Sequence, residues 1–260
     1  MTPKKKVVLF IVEGFNDQTA LAVSLERLLT TESVKFEITE GDITSDYSGK
    51  NIAAKVGDII KKHCEEYKFK TEDFMEAVLL VDMEGAYVNA KAIEKNDNYD
   101  RTFYDADKIM CQAPDRLLKT HEQKQRNLNR LISLPIVCRT IPFSVYFFSC
   151  NLDHVISGNA NLSRNEKSIA AERFRHKYHS DLAGFVSFFY DYNITVGNTY
   201  DDSWSHIRTD LNSLKRSSNL NIFLSSAAVR IQRDYSGILK SISSGGNDNG
   251  ETVVTANVRN

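Results

Sequence analysis

The sequence predicts an α/β fold, a mainly parallel sheet flanked by helices and continued by a helical C-terminal extension. Three observations predict it. Continuous apolar, β-branched or aromatic runs recur at Val7–Val12, Ala77–Val81 and Phe143–Phe148, as strands buried on both faces require. Helical apolar stripes separate the first of these runs. Beyond residue 150 the strand signal gives way to helical patterns.

Val7–Val12 is the first strand, and Gly14-Phe15-Asn16-Asp17 turns the chain, with Asn16 or Asp17 available to cap a helix. Leu21, Leu25, Leu28 and Leu29 then form one helical stripe. Val34, Phe36 and Ile38 alternate as in a short strand, and Glu40 to Gly49 is polar and loop-like. Ile52, Val56, Ile59 and Ile60 repeat the helical spacing before the strand Ala77–Val81, which Asp82 stops. This β-α-β-α-β order implies parallel strands joined by crossovers. Residues 82–115 read as a long polar loop with short helical pieces, and Leu117 to Ile132 as a charged helix. Pro142 suits the start of the strand Phe143–Phe148. Ser163 or Asn165 opens a cation-rich helix, Leu182 to Tyr190 is a short apolar helix or strand, and Ser203 to Leu214 carries Trp204, Ile207, Leu211 and Leu214 at helical spacing. The division expected is a catalytic α/β domain over 1–150, a helical extension over 151–240, and a Ser/Gly/Asn-rich disordered tail over 241–260.

Composition narrows the function. The chain has 260 residues, enough to bury a core without disulfides or structural metal. Lys+Arg 33 against Asp+Glu 34 gives a net charge of -1, so nucleic acid would have to be held by a local basic patch. The apolar run Val7–Val12 is too short for a signal segment, and no run approaches a membrane span. Cys64, Cys111, Cys138 and Cys150 are scattered, as in reduced cytoplasmic proteins. The expectation is therefore a cytoplasmic chain with no membrane partner.

The acids are the informative residues. In open parallel sheets, ligands bind beyond the carboxyl ends of the strands. Glu13 follows the first strand, Asp82 ends a later one with Glu84 two residues on, and Asp17 lies about one helical turn past Glu13. Were those strands neighbours, like charges about 5 Å apart would cost roughly 3 kcal/mol per pair at an effective dielectric near 20. A divalent cation relieves that cost, and oxygen donors without His or Cys favour Mg²⁺ or Mn²⁺. Magnesium sites of this kind take phosphate oxygens, so a phosphate ester is the expected substrate. Without a metal, Glu13 and Asp17 would simply favour a turn and a helix N-terminus.

Ile11-Val12-Glu13-Gly14-Phe15-Asn16-Asp17 resembles the E-G-x-x-D signature of the TOPRIM domain. Leu79-Leu80-Val81-Asp82-Met83-Glu84 resembles its second signature, hhhD-x-D, with Glu84 in place of the usual second Asp. The two lie 69 positions apart, in the family's order. The resemblance covers roughly residues 7–150 and implies a TOPRIM-like, Rossmann-like sheet. TOPRIM domains occur in topoisomerases, primases, ribonuclease M5, overcoming-lysogenisation-defect nucleases, and RloB-like and PARIS-type phage-defence effectors. The resemblance implies that Glu13 is a general acid/base or a metal ligand. It implies that Asp82 and Glu84 hold one or two Mg²⁺ or Mn²⁺ ions, and that Asp17 is a second-metal ligand or a supporting acid. The longer Glu84 alters the reach of that carboxylate.

Ser149-Cys150-Asn151-Leu152-Asp153-His154 places further polar groups past the last strand. Asp153 could ligate a second metal and His154 could orient water or contact the scissile phosphate; equally, Asn151 or Asp153 could cap a helix beside an ordinary His154. Glu40-Gly41-Asp42 poses a similar choice after the second strand, with ordinary loop acids the favoured reading. Arg164, Lys167, Arg173 and Lys177 form a cationic helix that could receive nucleic-acid phosphates, with Lys167 placed to stabilise developing charge. With Glu166 and Glu172 between them, these cations also fit a solvated face. Lys119, Lys124, Arg126 and Arg130 form a second such stripe. Gly49-Lys50-Asn51 lacks the Ser/Thr and first Gly of a P-loop, G-x-S-x-G is absent, and Cys150 with His154 matches no zinc spacing.

The function expected is a metal-dependent endonuclease acting on DNA or RNA. By resemblance it serves as a phage-defence effector beside a separate ATPase subunit. The alternatives are a non-catalytic nucleic-acid or partner-binding module and a ribonuclease M5-like RNA-processing enzyme. Self-association stays open.

Overall fold

The computed structural model describes residues 6–29, 33–39, 42–45 and 49–231. The tail expected over 241–260 lies outside them, as do Glu40 and Gly41. The central sheet has the order β2-β1-β3-β8-β7. Its strands are β1 (Val7–Val12), β2 (Ser33–Ile38), β3 (Phe74–Asp82), β7 (Ile136–Val137) and β8 (Ile141–Phe148). β1 runs parallel to β2 and β3, and β3 parallel to β8; only β7 is antiparallel. Every residue of β1 is buried, which explains its unbroken apolar sequence.

Alternation along β1 divides the core. Val8, Phe10 and Val12 pack with α1 (Phe15–Leu28), and with Phe174, Phe185 and Phe223 from three later helices. Val7, Leu9 and Ile11 pack on the other face with α2 (Ile52–Tyr67) and α3 (Pro114–Ile132), and with Trp204. The helices beyond residue 150 are α4 (Leu152–Ser157), α5 (Arg164–Tyr178), α6 (Leu182–Tyr190), α7 (Tyr200–Ile207) and α8 (Leu220–Ile231). They share these two cores and so complete the sheet's cover.

Three local outcomes differ from the sequence reading. Residues 82–115 hold a small sheet of order β4-β6-β5, from β4 (Ile93–Lys95), β5 (Phe103–Tyr104) and β6 (Ile109–Cys111). The helix expected through Leu214 ends at Ile207, and a left-handed Asp210 (φ 48°) lies in the turns that follow. Those turns lead across the ends of β3 and β8: the Ser213 carbonyl accepts from the amides of Gly85 (3.2 Å) and Cys150 (3.0 Å). Gly14, rather than Asn16 or Asp17, is the N-cap of α1, and Asp17 in the first turn reaches back to it.

Candidate functional site

The order β2-β1-β3 sends the chain from β1 to one neighbour and later to the other. A crevice therefore opens at the carboxyl ends of β1 and β3, the general ligand position in open α/β sheets. Glu13 leaves β1 at this point and Asp82 ends β3. Glu13 Oε1 lies 3.4 Å from the Asp82 amide nitrogen, so the first acid reaches across to the second. Asp82 Oδ1 accepts a 2.9 Å hydrogen bond from the Leu152 amide in the first turn of α4. Glu84 is held by its backbone: its amide donates to the Cys150 carbonyl at 2.6 Å, and both residues are left-handed, with φ 50° and 54°. Such backbone in a non-glycine residue costs of order 1–3 kcal/mol and clusters at functional sites.

A lysine completes this side. Lys124 of α3 is fully buried (0% exposed), with its ammonium 2.8 Å from Asp42 Oδ2 and 3.0 Å from Glu84 Oε2. Asp42 precedes a short 3₁₀ turn (Ile43–Ser45) whose Thr44 amide donates to it at 2.7 Å, and the hydroxyls of Thr44 and Ser45 donate as well. Asp42 is thus part of the cluster, whereas on sequence the ordinary loop acid is the favoured reading.

The other side of the crevice carries Asp17, Asp153 and Lys167. Asp17 Oδ2 accepts from the Gly14 amide at 2.9 Å, so it does serve the helix start while also facing the acids. Asp153, buried in the first turn of α4, pairs with Lys167 of α5 at 2.7 Å. Asn151 caps α4 through the His154 amide (2.8 Å), and its side-chain amide donates to the Ala160 carbonyl (3.0 Å). Phe15, next in the chain after Gly14, is 71% exposed.

The electrostatics follow from crowding. Burial first, then the charge of Asp42, pushes Glu13 well above the ordinary carboxylate range against the pull of Lys124. Burial, then Asp17 and Glu84, does the same to Asp82. Asp17 is pushed up to about 6 by burial, against the Gly14 hydrogen bond. Burial works against the ionised Asp42 too, but the Lys124 ammonium and the hydroxyl donors hold it down at about 2. For Lys124, burial is outweighed by Glu84, Asp42 and Glu13, which keep it charged. Lys167 is likewise kept charged against burial, by Asp153 first and by Asp82 and Glu84 beyond it.

Glu13, Asp82 and Glu84 thus come together, with Asp17 and Asp153 beside them. His154 does not join them. It lines a separate cavity with Lys215 and Arg216, and burial, then Arg216, lowers its pKa. Of the cationic helix, Lys167 reaches the cluster, while Arg164, Arg173 and Lys177 are exposed; the Lys177 ammonium sits 4.9 Å from the Tyr178 ring centre. Sequence reasoning placed Lys124 in a cationic stripe for phosphates or solvent and missed its buried pairing with Asp42 and Glu84. Its signal, one cation at a helical position continuing the apolar stripe of Leu128 and Leu131, is present in the chain.

The donor set fits a hard divalent cation in kind. Its side chains offer carboxylate oxygens, and those of Glu13 and Asp82 repel one another's charge. As placed, no three His, Cys, Asp or Glu side chains among the described residues stand at metal-holding distances. No helix among the described residues is long and apolar enough to cross a membrane. Comparison of the chain with protein-family models, curated proteins and solved structures found no match.

Proposed function

We propose that this protein is a divalent-metal-dependent nuclease with a TOPRIM-like site that hydrolyses phosphodiester bonds of DNA or RNA. One observation carries the reading: the Glu13 carboxylate from β1 lies 3.4 Å from the backbone of Asp82 on β3, at the crevice between the two strands. In this reading Asp82 and Glu84 would hold a Mg²⁺ or Mn²⁺ ion, with Asp17 and Asp153 able to take a second, and Glu13 would either join them as a carboxylate or stay protonated as the proton carrier. When bound, the ion supplies positive charge to the phosphoryl oxygens and acidifies water. The chain's own residues do the rest. Glu13, whose carboxyl holds its proton unusually well, moves a proton at the attacked or departing oxygen. Lys167, tethered by Asp153, adds charge where the transition state gains it. Lys124 holds Asp42 and Glu84 in place. The resemblance to defence nucleases adds the proposed role, an anti-phage effector working with a separate ATPase subunit.

The test is cleavage of plasmid, single-stranded DNA and tRNA by the purified protein with Mg²⁺, Mn²⁺ or EDTA. Glu13→Gln and Asp82→Asn are each expected to lower cleavage by about a hundredfold or more; cleavage that persists in both would overturn the site. The Lys124 ion pairs favour a second reading, in which the cluster is a self-neutralised network of a non-catalytic nucleic-acid-binding module. Binding without cleavage, unaffected by EDTA, would select it.

A further inference from the structure

A further concavity lies beside the turn that ends α4. Its volume is about 440 Å³, within the range of small-ligand sites, and it is lined by β5, the turn after α4 and the segment 214–216. Its walls are tied together before any ligand arrives. Asn161 clamps Tyr104 of β5 from both directions, accepting from its amide at 2.9 Å and donating to its carbonyl at 2.7 Å. Arg101 donates to the Leu162 carbonyl at 2.9 Å. Arg216 Nε donates to the Val155 carbonyl at 2.8 Å, which fixes the guanidinium against α4.

The lining is of mixed chemistry. Lys215 and Arg216 bring two cations against the single acid Asp105. Tyr104 and Leu214 bring aromatic and apolar surface. Asn159 and His154 bring polar groups, and the buried Nδ1 of His154 finds no partner among the described residues. Cations, an aromatic residue and polar side chains in one small cavity match an anion joined to a flat, polar ring. The cavity also adjoins the acid crevice. α4 forms part of one wall and donates its first-turn amide to Asp82, and the charges of Glu84 and Asp82 act on the Tyr104 hydroxyl.

We propose that this cavity binds a nucleoside monophosphate unit, its phosphate on Lys215 and Arg216 and its base against Tyr104 and His154. The unit can be a free mononucleotide or one link of a single strand whose neighbouring phosphate lies in the acid crevice. The second case rests on the nuclease reading and the first does not.

Calorimetry in EDTA tests the cavity without any ion or cleavage. Adenosine 5′-monophosphate is expected to bind saturably, with inorganic phosphate and adenosine each about tenfold weaker or more. Lys215→Gln removes an exposed cation and is expected to weaken the mononucleotide by about tenfold. Ala106→Trp fills the cavity from an exposed lining position and is expected to abolish binding; neither change touches the core. A labelled oligodeoxyadenylate separates the two sources. Displacement by the mononucleotide, and loss in Ala106→Trp, assigns the cavity to a strand; mononucleotide binding without displacement assigns it to a free nucleotide. Absence of saturable binding, equal affinity for phosphate alone, or binding unchanged in both variants would overturn the proposal and leave the cleavage reading standing.

Discussion

An ammonium with no exposed surface is costly unless it is paired, and Lys124 is paired twice, with Asp42 and Glu84. Removing one partner of such a network leaves uncompensated charge, so Lys124→Met is expected to destabilise the fold by about 3–5 kcal/mol in urea unfolding near neutral pH. Mn²⁺ should recover part of that loss, because an ion can replace the missing cation among the same carboxylates. Lys119, exposed on the same helix, is the control: Lys119→Gln should stay within about 0.5 kcal/mol of the parent. An unchanged melting curve for Lys124→Met would mean that the cluster tolerates its charge without a built-in cation. Helical spacing sets Lys124 apart from Lys119, since Lys124 continues the stripe of Leu128 and Leu131, but it does not name the partners. A helical stripe of cations records spacing along one helix, and the acids facing Lys124 come from the turn at Asp42 and the end of β3.

At the scale of elements, α4 links the last strand to the site. β8 ends at Phe148, the left-handed Cys150 redirects the chain, and Asn151 starts a six-residue helix whose first turn meets Asp82 and Lys167. So short a helix depends on its cap. Asn151→Ala removes the cap and the bond to the Ala160 carbonyl, and is expected to cost about 2 kcal/mol. Cleavage should fall further than the loss of folded protein explains, because Leu152 and Asp153 lose their placement; activity that merely tracks the folded fraction would refute that link. Elements with long apolar signals were legible in the chain: β1, β3, β8 and the stripes of α1 and α2 stand where spacing places them. The small sheet was not, because strands of two or three residues carry too little period to read. The same limit applies to His154. Residues on one short helix can serve different cavities, and only the turn of α4 sends Asp153 to Lys167 and His154 to Arg216.

Over the whole molecule, a nearly neutral chain concentrates Glu13, Asp17, Asp42, Asp82, Glu84 and Asp153 along one crevice with Lys124 and Lys167. The fold therefore stores unfavourable charge there, and pH should reveal it. Asp17 titrates near 6 in the folded protein against an ordinary value of 3.8. Between those values the folded state binds more protons than the unfolded state, so stability falls as pH rises and levels off above the folded value. His121 acts in the opposite sense: burial first, then Lys124, lowers it to about 4, so its contribution grows as pH rises toward 6.5. Total stability mixes these two with the other shifted groups, Glu13, Asp82 and Asp42 among them, but the difference between the parent and Asp17→Asn cancels the histidine. Asparagine keeps an oxygen for the Gly14 amide and removes the charge that acts on Asp82. Asp17→Asn is therefore expected to gain on the parent from about pH 4 to about pH 7, by on the order of 2 kcal/mol in urea midpoints. Saturating Mn²⁺ should shrink that gain at the upper end by stabilising the parent more, since the ion neutralises the charge that the substitution removes. A difference that stays flat with pH would mean that Asp17 is ionised at no cost, and the crevice would then lack the crowding that a divalent ion is proposed to relieve.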